Sequence, residues 1–82
     1  MLDIVDGIEL DGWVFQVSIK RYPTPGKEDA LQGGRIFYFE MLKNEDLVAF
    51  YDHEWIVPLN KNDDVSLLAY SLMCEKWNRR IQ

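Results

Sequence analysis

The residues best suited to chemistry lie in one pentapeptide, Tyr51-Asp52-His53-Glu54-Trp55. A histidine between two carboxylates can act as a metal ligand or as half of an acid–base pair. The spacing works against both uses. In an extended strand adjacent side chains point to opposite faces, so Asp52 and Glu54 share a side and His53 turns away. A single histidine with no cysteine pair is also a poor zinc site. Cys74 and His53 would be a thiol–imidazole couple. Cys74, however, falls mid-helix on an apolar stripe, where a free thiol packs as a small hydrophobe. Ser18, Ser66 and Ser71 lack any nucleophile-elbow context. Gly33-Gly34-Arg35 precedes a strand, whereas phosphate cradles precede a helix N-terminus. No catalytic, cofactor-binding or metal-ligating residue is assigned on this reading, and no enzyme activity is expected. A small metal-dependent or acid–base enzyme using the Asp52-His53-Glu54 corner is the alternative.

The totals narrow the choice of partners. The chain has 82 residues and a net charge of −5, with its nine basic residues scattered. Nucleic-acid binding needs a clustered positive field, so the aromatic strands do not read as a base-stacking platform. The acidic excess is too small to suggest a nucleic-acid mimic. No apolar run approaches the ~20 residues of a membrane span, and no signal peptide is expected. The lone Cys74 excludes an internal disulfide and fits a reducing compartment. A cytoplasmic protein is expected. Hydrophobic residues make up 48% of the chain, a large share for a domain that exposes so much of its surface. Some of that apolar surface is expected to be buried only against a protein partner or a second copy.

The elements that would carry these residues follow from local patterns. A single α+β domain spanning 1–82 is expected, a three- to four-stranded antiparallel meander with one C-terminal helix packed on a face. Asp6-Gly7 and Asp11-Gly12 are turn signals, and Ile8-Glu9-Leu10 between them reads as a short edge strand. Gly12 as a bulge in one strand from Ile8 to Arg21 is the other possibility. Residues 13–21 alternate cleanly, with Trp13, Phe15, Val17 and Ile19 on one side. Tyr22 to Gln32 holds two prolines and a glycine and reads as a crossing loop, with Lys27, Glu28 and Asp29 in water. Residues 35–43 are apolar on both faces: Phe37, Phe39 and Met41 on one, Ile36, Tyr38 and Leu42 on the other. Such a strand belongs in the sheet centre. Lys43-Asn44-Glu45-Asp46 is a hairpin turn, Leu47 to Asp52 a strand, His53-Glu54 a kink, and Trp55-Ile56-Val57 a short extended piece ended by Pro58.

A helix over about 64–80 follows, capped by Asn62 or Asp63, with Lys76, Arg79 and Arg80 at its C-terminal end. Leu67, Tyr70, Cys74, Trp77 and Ile81 form one stripe, and Val65, Leu68, Ala69 and Leu72 a second. One sheet covers one stripe. The second stripe must meet the N-terminal arm, the long loop or another subunit. The interaction candidates are Leu68, Leu72, Val65, Trp77 and Tyr38. Arg35 is expected to pair with Asp52.

Gly33-Gly34-Arg35-Ile36, followed by Tyr51-Asp52, Trp55 and Pro58 and preceded by Asp11-Gly12-Trp13, resembles a family of small uncharacterised proteins. These occur in Gram-positive bacteria, their prophages and phages. The likeness runs over roughly residues 8–72. The family pattern carries a basic and then a small residue between the Asp and the Trp, and His53-Glu54 departs from it. The resemblance implies an accessory protein with no assigned activity. The residues themselves favour a non-catalytic protein–protein interaction module, as a homodimer or an accessory subunit. A phage-type inhibitor docking on a host protein through the acidic 1–11 segment is a further alternative.

Overall fold

A computed structural model describes residues 2–78. Five strands form one antiparallel sheet in sequence order: β1 (Leu2–Leu10), β2 (Trp13–Arg21), β3 (Ile36–Lys43), β4 (Asp46–Asp52) and β5 (Trp55–Val57). One helix, α1 (Asp64–Trp77), crosses a face. The architecture is α+β, with a sheet wider than the expected three or four strands.

The difference lies at the N-terminus. Asp6-Gly7 is not a turn. β1 runs straight through it and pairs with β2 from Leu2↔Arg21 to Leu10↔Trp13. The Asp-Gly signal is realised only at Asp11-Gly12, where φ values of 53° and 82° close a two-residue hairpin. Asp6 has the same local chemistry, and its carboxylate does accept from Gly7 N–H at 2.8 Å. β1 nevertheless stays extended through Gly7, because nine residues of ladder with β2 outweigh one local bond.

The second hairpin turns over Lys43–Asp46, as expected. Lys43 pairs with Asp46 around Asn44 and Glu45, both at positive φ (45° and 74°). The Asn44 side chain accepts from Val14 N–H at 2.9 Å, and its own N–H donates to the Val14 carbonyl at 2.8 Å, so the turn also laces β2. The expected kink at His53-Glu54 is a true reversal. His53 takes φ 60°, Asp52 N–H donates to the Glu54 carbonyl at 2.9 Å, and Tyr51 comes to face Trp55.

β3 is central, as its two apolar faces require. Its faces are not those of strict alternation. Lys20 opposes Tyr38 while Arg21 opposes Ile36, so a bulge at Phe37 turns Ile36 onto the helix side. There it is fully buried with Phe15, Val17, Ile19, Phe39, Met41, Ala49 and Tyr51. On the uncovered face Tyr38 is half-buried by its neighbours. Phe50 meets it edge-on at 5.4 Å, and Lys20 Nζ sits 4.9 Å from its ring centre.

The helix starts as expected. Asp63 caps it, accepting from Ser66 N–H at 3.1 Å and Ser66 Oγ at 2.6 Å, and Lys43 Nζ binds the same carboxylate at 3.1 Å. These donors, the Ser66 hydroxyl first, hold the Asp63 carboxyl below its ordinary value. The buried stripe is Ser66, Ala69, Met73 and Cys74. Ala69, grouped with Val65, Leu68 and Leu72 in the second stripe, is fully buried with the first. Its small side chain lets the helix approach the sheet closely. Asn78 caps the C-terminus. Arg79, Arg80 and Ile81 lie outside the described residues. Among the described residues no helix is long and apolar enough to cross a membrane.

Candidate functional site

Two places hold groups beyond what the fold's core needs. The first is the corner where the 22–34 loop meets the β4–β5 reversal. Asp29 was expected in water. It is instead half-buried, and its carboxylate oxygen Oδ2 receives the Tyr22 hydroxyl and faces His53 Nδ1. Its carbonyl accepts from the Tyr51 hydroxyl at 2.7 Å. The Tyr22 hydroxyl and then His53 hold the Asp29 carboxyl below its ordinary value, and Asp29 in turn raises the Tyr22 phenol. With Asp29 ionised, His53 must present Nδ1–H to it. The left-handed backbone at His53 aims the ring back over Phe37, with centroids 5.0 Å apart, and Phe37 meets Tyr22 at 4.5 Å.

This arrangement gives the histidine of the pentapeptide a partner in the 22–34 loop. Asp52 and His53 lie near each other, with His53 Nε2 3.7 Å from Asp52 Oδ1. That is ion-pair range, too long for a hydrogen bond. Among the described residues no group of three His, Cys, Asp or Glu side chains is placed to hold a metal. What the corner does with its histidine is clamp a loop. The signal for it lay in Asp29, whose partner is 24 residues away in sequence and invisible to local reading. Cys74 is fully buried, and burial pushes its thiol up to about 11, so it does not form a reactive couple with His53.

The Gly33-Gly34-Arg35 turn is explained by the same end of the molecule. Gly33 has φ 64°. A Cβ on Gly34 would overlap the Asn78 carboxamide. Asn78 Oδ1 accepts from Arg35 N–H at 3.0 Å and Ile36 N–H at 3.3 Å, and its Nδ2 donates to the Leu31 carbonyl at 3.3 Å. One side chain thus ties the helix end to the start of β3. The expected Arg35–Asp52 pair does not form. Arg35 is buried on the helix side and its Nε donates to the Tyr22 carbonyl at 2.9 Å. Arg21, also buried, donates to the Trp77 carbonyl at 3.0 Å and lies over the Trp77 ring. It supplies from β2 the cation that a helix C-terminus favours.

The second place is the flank between β1 and α1. A groove of about 490 Å³ runs there, lined by Gly7, Ile8, Leu72, Met73, Glu75 and Lys76. Of the expected interaction residues, Leu72 (36% exposed) lines it and Leu68 (52%) stands one turn earlier on the helix. The other three are engaged internally. Val65 packs against the core, Tyr38 against Phe50, and the Trp77 indole donates to Asp6 Oδ2 at 2.9 Å. Lys76 Nζ reaches the same oxygen at 2.8 Å and is the main reason the Asp6 carboxyl is held below its ordinary value. Asp6 therefore ties the edge strand to the helix end.

No family model, curated protein or solved structure matches this chain.

Proposed function

We propose that this protein works by contact, as a non-catalytic protein-interaction or accessory module, and that the β1–α1 flank is its working surface. The observation that carries the reading is the pair Leu68 and Leu72, left open beside a groove while Val65 and Trp77 of the same helix are drawn inward. Neighbouring exposed leucines on a rigid helix are suited to a partner that removes them from water. The family resemblance of the Gly-Gly-Arg and Tyr-Asp-x-x-Trp segments agrees with an accessory role. The lone buried Cys74 agrees with a cytoplasmic one. Homodimerisation and binding to another protein are two forms of the same reading. An inhibitor-like docking through residues 1–11 is favoured by one fact, that Leu2–Leu10 of this acidic segment form an edge strand of the sheet.

The test is a Leu68→Ser, Leu72→Ser double variant. Binding of an apolar dye, and any self-association seen by sedimentation at tens of micromolar, should fall while the folded state persists. A wild-type chain that stays monomeric and binds no dye under those conditions overturns the reading.

A further inference from the structure

We infer that the outer edge of β1 takes up an extended, basic segment of a partner protein as a sixth strand. This rests on the contact reading above and names the partner's chemistry.

Edge strands are ordinarily protected against added strands. They are short, or interrupted by a bulge, a proline or a lysine. The other edge of this sheet follows that rule: β5 has three residues and a break in register against β4. β1 does not. It runs nine residues in unbroken register with β2, holds no proline or base, and among the described residues nothing pairs with its outer side. Its one inward charge, Asp6, is paired with Lys76 and accepts a hydrogen bond from the Trp77 indole. A strand laid along this edge would set alternate side chains over Ile8 and Leu72, toward Leu68. That gives backbone pairing and an apolar strip together, the two components of strand addition.

Charge decides the occupant. On the uncovered face of the sheet β1 presents Asp3, Val5, Gly7 and Glu9, and Val5 is 85% exposed. A second copy pairing antiparallel about Asp6 would set Asp3 against Glu9 at both ends, an arrangement that like charges disfavour. A segment with Lys or Arg six residues apart, and apolar residues facing the helix, meets both acids and the groove at once.

The probe is the labelled heptapeptide Lys-Leu-Thr-Leu-Val-Leu-Lys, measured by anisotropy against its counterpart with Glu at both ends. The lysine peptide should bind at least about tenfold more tightly, and more weakly as salt rises. In the chain carrying Asp3→Lys and Glu9→Lys, the preference should reverse. Both sites are exposed, and the one new like-charge pair, with Lys20 opposite position 3, is at the strand end, so circular dichroism should still show the folded state. Leu72→Ser should weaken both peptides. Equal affinity for the two peptides, or no reversal in the charge-swapped chain, overturns the basic-strand inference. If dye binding still depends on Leu68 and Leu72 in that event, the contact reading stands without it. If dye binding does not depend on them, both fall.

Discussion

The two edges of the sheet are finished in opposite ways. At the β5 side, Tyr22, Asp29, Tyr51 and His53 interlock. Polar atoms there meet polar atoms of the same chain, although Trp55 and Ile56 of the short β5 stay exposed. At the β1 side a nine-residue strand has one neighbour, and two leucines of the helix face water beside it. Both regions have similar composition, with aromatic or aliphatic residues next to acids. The difference lies in where partners are found. A region that satisfies its own donors gains rigidity, and one that leaves a ladder and an apolar strip open retains capacity for a partner.

The contrast is most easily broken at Gly34. Gly34→Ala would displace the Asn78 carboxamide and its three hydrogen bonds, at a cost of about 2–3 kcal/mol in urea unfolding. Gly33→Ala should cost less, about 1–2 kcal/mol, because open space surrounds it and only its positive φ resists. Equal losses would mean that Asn78 is not the fastening point.

Asp29→Ala should release the loop while the sheet stays folded. Trypsin should then cut after Lys27 faster than in the wild type, and an unchanged rate would show that the Tyr22–Asp29–His53 contacts do not hold it.

On the open side the one strong tie is Asp6. Removing it in Asp6→Ala strands the Trp77 indole N–H and should cost about 1–2 kcal/mol. The pH dependence has a definite sign. The folded Asp6 carboxyl lies below its ordinary 3.8, so its contribution is complete above that value and is lost as pH falls through the folded one. The penalty of Asp6→Ala should therefore shrink in acid, and a penalty that stays constant down to about pH 2 would contradict the assignment.

The helix start is tied to the end of β3 through Lys43–Asp63, and Asp63→Ala should cost about 1 kcal/mol through loss of the cap. The smallest effect has the opposite sign. Glu45 holds φ 74° in a turn that favours glycine, so Glu45→Gly should stabilise by about 0.5–1 kcal/mol by thermal melt. A loss there would mean that the Glu45 side chain contributes something the turn geometry does not explain.

What local pattern alone could determine, it did. Alternation in 13–21 specified a half-buried strand, and the two-faced apolar run at 35–43 specified the sheet centre. Asp11-Gly12 and Asn44-Glu45 marked reversals, and Asn62 or Asp63 marked the helix start. Those signals act over a few residues, within reach of backbone preference and side-chain period. They misled where a local preference met a longer ladder, as at Asp6-Gly7, and where a bulge shifted the faces, as at Ile36. The candidate sites were decided elsewhere. Asp29 finds His53 across 24 residues, and Asp6 finds Trp77 across 71. Only the folded chain brings such groups together, because a hydrogen bond senses separation in space and is indifferent to separation along the backbone. The same is true of Leu68 and Leu72: the sequence marks them as apolar, and the placement of the helix on the sheet decides that they face outward.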